Sequence, residues 1–222
     1  MTLVLRLTSG ARTIEPAEAH AMLSRRAGLP GAYGWDQAAH VLRALEAEGV
    51  GAIALLPLAL PTSWMVNAKA TSRTFRAWLT PRWHAAFEGV LAALDPSQPW
   101  PDLDGARIQG FVEELARAPG AGLAALTKVL ALLRPSLVPL MDDSALAVTL
   151  GVVPLPETDN EPAAGPEHFT PMMDWFHREL ARNERALVDL ARDHTEAVLE
   201  PAQVLDRVLW YVSFGHRHFP PG

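Results

Sequence analysis

Residues 119–143 read PGAGLAALTKVLALLRPSLVPLMDD, and the fold turns on how they are taken. Gly120 and Gly122 interrupt two runs of helical character, IQGFVEELARA (108–118) before them and LAALTKVLALL (123–133) after them. Arg134-Pro135 ends the second run, because the residue before a proline is biased away from helical backbone. The pattern is helix, tight glycine turn, helix. Glycines admit the positive φ that such a turn needs. The turn then points backbone N–H groups and the next helix's N-terminus outward together, which suits a phosphate. The same string also fits a plain corner between two helices. Lys128 inside the apolar run and Asp142-Asp143 at its end are the polar residues that need a role.

Outward from this stretch the chain reads as helix. Thr13 precedes EPAEAHAMLSRRA and Gly28 follows it, which predicts a capped helix over 15–27. WDQAAHVLRALEAEG places Ala38, Val41, Leu42 and Leu45 on one face, with Gly49 as its stop. Thr80-Pro81 opens PRWHAAFEGVLAALD, and Thr170-Pro171 repeats the start signal before the stripe Met173, Phe176, Leu180, Leu187 and Leu190. PAQVLDRVLWYV faces Val204, Leu205, Val208, Leu209 and Val212 inward. MTLVLRL alternates as a short N-terminal strand would. DPSQPWPDLDG (95–105) reads as a loop, and the proline-rich acidic segment 153–169 as a mobile connection. The expected fold is mainly α: one helical domain over 1–222, of eight or nine helices, with two lobes meeting near 95–120.

Composition narrows the function classes. The absence of cysteine excludes disulfides, thiolate-bound clusters and a cysteine nucleophile. No apolar run approaches the roughly 18 residues of a membrane helix, and GVGAIALLPLAL (49–60) is broken at Pro57. The N-terminus lacks the layout of a signal peptide. A cytoplasmic protein without membrane contact is expected. The net charge of −6 argues against a protein basic all over. Yet residues 49–87 contain no Asp or Glu while holding Lys69, Arg73, Arg76 and Arg82. These cations are interleaved with Trp64, Phe75, Trp78 and Trp83, the composition of a nucleic-acid surface or of an amphipathic helix with a buried aromatic face. Asp36 with His40, Asp174 with His177, and His216 with His218 are incomplete as ligand sets, so no metal or cofactor is expected.

Pro119, Gly120 and Gly122, followed by Arg134, Pro135, Val138, Pro139 and Asp142, resemble the hairpin and K/R-P-x-x-V-P…D segment of helix-hairpin-helix DNA glycosylases. The aspartate falls one residue later than is usual there. The stretch is closer still to an uncharacterised bacterial family of glycosylase-like helical proteins. That likeness rests on Thr127, Lys128, Arg134, Pro135, Leu137, Val138, Pro139 and Asp142, with Val204, Leu205, Asp206, Leu209 and Trp210 near the end of the chain. The resemblance implies that Gly120 and Gly122 hold a DNA phosphate and that Lys69, Arg73, Arg76 and Arg82 touch the duplex backbone. It also implies that Asp142 stabilises the positive charge of N-glycosidic cleavage. Asp143 then caps the helix SALAVTLG, although both aspartates could do no more than cap. Lys128 lies too far along its helix to be a lyase lysine. It snorkels or pairs with Asp142 or Asp206. The alternative is a non-enzymatic helical module that binds a protein partner, of immunity type for example. Both hang on one spatial expectation, that the bend at 119–122 and Asp142 share a pocket.

Overall fold

The computed structural model describes residues 1–27, 32–63, 72–152, 165–194 and 199–215. It opens with strands β1 (Leu3–Leu7) and β2 (Gly10–Ile14), paired antiparallel with Leu3 opposite Ile14. Eleven α-helices follow among the described residues: α1 (Pro16–Ala27), α2 (Ala32–Ala47), α3 (Ala52–Thr62), α4 (Ser72–Trp78), α5 (Pro81–Ala93), α6 (Gly105–Ala116), α7 (Leu123–Leu133), α8 (Asp143–Leu150), α9 (Phe169–Arg182), α10 (Glu184–Asp193) and α11 (Pro201–Trp210). A π-helical turn, Tyr211–Gly215, continues α11.

The mainly helical class and the N-terminal strand stand; the helix count and several boundaries do not. Helix α3 forms despite Pro57 and Pro61. Each proline removes its own N–H bond and crowds the carbonyl four residues back, and the burial of Leu55, Leu56, Ala59 and Leu60 along the helix offsets that cost. Expected as one helix, 171–190 is two, divided at Asn183. Strand β2 was hidden because GARTI buries only Ile14, and Thr13, expected to cap the first helix, lies within it. In α2 the inward face is Trp35, Ala39 and Leu42, while Val41 is exposed. Its end follows expectation: Gly49 has φ +91°, its N–H donates to Glu46 O, and the Val50 N–H donates to Leu45 O, a Schellman closure.

Thr170 lies inside α9, which begins at Phe169 after a 3₁₀ turn over Pro166–His168. Its hydroxyl donates to Gln109 on α6 instead of capping. Of the segment expected to be mobile, 165–169 is therefore ordered turn and helix, and 153–164 lies outside the described residues. The loop at 95–105 carries a 3₁₀ turn that buries Trp100.

Helix α7 holds the centre. Leu123, Leu126, Val129, Leu130, Leu132 and Leu133 are all buried, and α7 packs against α2, α3 and α6. A helix apolar on nearly every side has to be surrounded, so the stretch that opened the sequence reading sets where its neighbours go. One connected set of buried side chains runs from β1 to the π-helical turn.

The outer edge of β1 is closed by side chains. Asn183 accepts from the Val4 N–H at 2.8 Å and donates to Val4 O at 3.0 Å. Glu179 accepts from the Arg6 N–H at 3.2 Å, and the Trp175 indole donates to Arg6 O at 2.9 Å. Residues spaced by four share a helix face, so this face takes the place of a third strand and protects an otherwise open edge.

Candidate nucleic-acid interface

The hairpin is built as its residues dictate. Asp104 caps α6 by accepting from the Arg107 N–H at 3.0 Å. After α6 the Ala118 N–H donates to Leu115 O and the Ala121 N–H to Ala118 O. Gly120 has φ +72°, where a side chain would be strained. Gly122 instead has φ −131° and ψ 163°, extended backbone open to any residue, and it starts α7 with no side-chain cap. Only the first glycine is demanded by the turn.

The aromatic residues of the acid-free window serve the end of α6. The Trp78 indole donates to Leu115 O at 3.0 Å and the Trp83 indole to Glu114 O at 3.2 Å. Thr74, fully buried, donates its hydroxyl to Pro119 O at 2.8 Å. A helix leaves its last carbonyls short of internal donors; Glu114 O and Leu115 O accept from the Arg117 and Ala118 N–H groups, and the α4–α5 pair adds an indole donor to each. Phe75 and Trp78 are buried, the latter edge-on to Phe87 at 5.4 Å. The reading of these rings as platforms for bases is therefore corrected for Phe75 and Trp78, which are core. Thr80, expected to cap α5, stands at the cap position but donates its hydroxyl back to Ala77 O.

The cations divide. Arg73 and Arg76 are exposed on α4, opposite its buried Thr74, Phe75 and Trp78. Arg82 donates to Glu114 at 2.8 Å and lies 5.0 Å from the centre of the Trp83 ring. Arg117 donates to the other oxygen of Glu114 at 2.7 Å. The hydrogen bond from Arg82, then that from Arg117, hold the Glu114 carboxyl below the ordinary carboxylate range. An acid from outside the window has thus reached one of its arginines. Lys69 and Trp64 lie outside the described residues.

Asp142, not Asp143, is the N-cap of α8: its Oδ1 accepts from the Ala145 N–H at 2.8 Å, and Asp143 is the first helical residue. Asp142 follows Met141, whose carbonyl accepts from Thr127 Oγ1. Thr127 stands five residues into α7, about 7 Å along its axis from the hairpin turn. The cleft beside the 134–142 segment is lined by Trp35, Ala131, Pro135, Val138, Leu140, Gln203, Asp206 and Arg207, and includes neither hairpin glycine nor Asp142. Its volume is about 20 Å³, room for roughly one water. Asp206 Oδ1 accepts from the Leu140 N–H at 2.8 Å, so this acid braces the segment. Lys128 is half-buried on α7.

Arg134, expected only as part of a motif, is heavily engaged. It is 6% exposed. It donates to Leu94 O at 2.8 Å, Leu91 O at 3.3 Å, Leu133 O at 2.7 Å and Glu46 at 2.8 Å. The Asp174–His177 pair is likewise occupied. Asp174 accepts from the Trp100 indole at 2.7 Å, and His177 bonds Leu137 O at 2.8 Å while stacking on Trp100. Burial pushes His177 below its ordinary value. Among the described residues no three histidine, aspartate or glutamate side chains gather as a metal site. The side chain of Asp36, and His216 and His218, lie outside them. No helix of the described residues is long and apolar enough to cross a membrane.

Residues 64–213 match the family of unknown function DUF6308, and the chain belongs to that family. The match spans α4 to the π-helical turn; the β-hairpin and α1–α3 precede it. No curated protein and no solved structure matches the chain.

Proposed function

We propose that this DUF6308 protein is a helix-hairpin-helix domain, glycosylase-like in architecture, that binds the phosphate backbone of duplex DNA with its hairpin end. The hydrogen bond from Thr74 to Pro119 O carries the reading. It ties α4 to the turn, so exposed Arg73 and Arg76 lie within one helical turn of the contact. The N-terminus of α7 follows Gly122 and adds the positive end of its dipole. Two exposed guanidinium groups on the helix that is tied to the turn suit oxyanions, and a duplex presents them in a row.

The binding is of the backbone kind, without base readout, since Phe75 and Trp78 are spent in the core. A net charge of −6 gives no long-range steering toward DNA, so affinity comes from local contacts. Base excision at Asp142 draws less support. One of its oxygens serves Ala145, and the neighbouring cleft is far too small for a base.

The test is fluorescence anisotropy with a labelled duplex across a salt series. Affinity should fall linearly on logarithmic axes, by about 0.9 for each phosphate neutralised. Arg73→Glu with Arg76→Glu should weaken binding at least about tenfold and flatten that slope by roughly two, with the unfolding midpoint unchanged. Absent binding at low salt, or binding indifferent to the double substitution, would leave the partner-binding module as the better account. Release of a free base from a damaged duplex, lost in Asp142→Asn, would restore the excision reading.

A further inference from the structure

Glu114 is the polar hub of the hairpin end. Its backbone carbonyl takes the Trp83 indole, one carboxylate oxygen takes Arg82, and the other takes Arg117. The two arginines come from different elements, α5 and the end of α6, and their side chains are 62% and 66% exposed. Exposed pairs of this kind add little to stability. The arrangement is nonetheless well held. Trp83 lies beneath Arg82, its ring centre 5.0 Å from the guanidinium carbon, and is itself fastened to the carbonyl of the residue the arginine binds. The cluster ends three residues before Gly120, on the flank that Thr74 ties to Pro119.

We infer that Arg82 and Arg117 form a two-armed phosphate clamp whose slot Glu114 fills in the free protein, so that the carboxylate acts as an internal competitor for the ligand. Guanidinium groups donate to carboxylate and phosphate oxygens in the same forked geometry, so one anion can replace the other without rebuilding the site. The ligand class is a phosphate oxyanion, and in the binding reading on which this inference rests it is a backbone phosphate of DNA. Because its arginine partners hold the Glu114 carboxyl low, the carboxylate persists well below neutral pH. Competition is then relieved by ligand and not by protonation.

Glu114→Gln removes the competitor and keeps the backbone bond to Trp83. The control is Glu113→Gln, one residue away, with the same change in net charge at a group that the Gln109 amide serves. Two readouts are taken on the full chain: duplex binding by anisotropy, and pyrophosphate binding followed by NMR at the Arg Nε–H resonances, assigned to Arg82 by its loss in Arg82→Gln. Glu114→Gln should bind DNA about five- to tenfold more tightly and shift the Arg82 resonance at lower pyrophosphate. Glu113→Gln should do neither to the same degree, and in an Arg82→Gln/Arg117→Gln background the gain should vanish. Equal gains from the two glutamate substitutions, with wild type binding DNA, would overturn the clamp and leave the DNA reading standing. Pyrophosphate shifts at Arg82 without duplex binding by any variant would keep the clamp and remove the DNA reading. No binding of either probe would remove both.

Discussion

Two helix C-termini in this molecule solve the same problem in opposite ways. At the end of α5, Leu91 O and Leu94 O are satisfied by the guanidinium of Arg134, which also reaches Leu133 O and Glu46 and is almost wholly buried. At the end of α6, Glu114 O and Leu115 O keep backbone donors and take a second one each from neutral indoles, those of Trp83 and Trp78. A cation used as a donor inside the protein is no longer available outside it. Neutral donors leave the arginines of the hairpin end at the surface. The first junction belongs to the fold; the second keeps its charge for something else.

The largest effect is expected at the first junction. Arg134→Met should destabilise the protein by about 3 kcal/mol, since it strands three carbonyls in a dry site and takes the partner of the partly exposed Glu46. Urea denaturation measures it, and a loss below about 1 kcal/mol would break the contrast. Trp78→Phe keeps an aromatic in the core but takes the indole from Leu115 O, which keeps its bond from the Ala118 N–H, and should cost about 1.5 kcal/mol in the same assay. A neutral result there would mean that the indole fills space and nothing more. The smallest effect belongs to Asp142, which sits at neither junction. Asp142→Ala should lose about 1 kcal/mol through the cap, and Asp142→Asn only a few tenths, because asparagine caps as well as aspartate. Equal losses in the two variants would show that the carboxylate charge matters beyond capping.

Much of the architecture was legible in the residues. The glycine turn, the all-apolar helix after it and the inward stripe of α11 follow from local periodicity, and the buried side chains agree with them. The site was legible in part. That 119–122 forms a tight turn with positive φ at Gly120 could be read directly. That the tryptophans of 62–87 are donors to α6 could not, nor that Asp142 rather than Asp143 caps α8. A signal for Arg134 existed in its place between an apolar helix and a proline, where a cation meets helix-end carbonyls, but its far partners gave none.

By itself the sequence determined that the chain is mainly helical and that α7 and the inward stripe of α11 are buried, because those features depend on neighbours three or four residues away. Only the tertiary structure decided which polar groups are spent. Trp78 finds its carbonyl 37 residues along the chain, Arg134 finds Glu46 across 88, and Asn183 finds Val4 across 179. A hydrogen bond needs its partner within about 3 Å, and that proximity is a property of the packed chain and not of any segment in it.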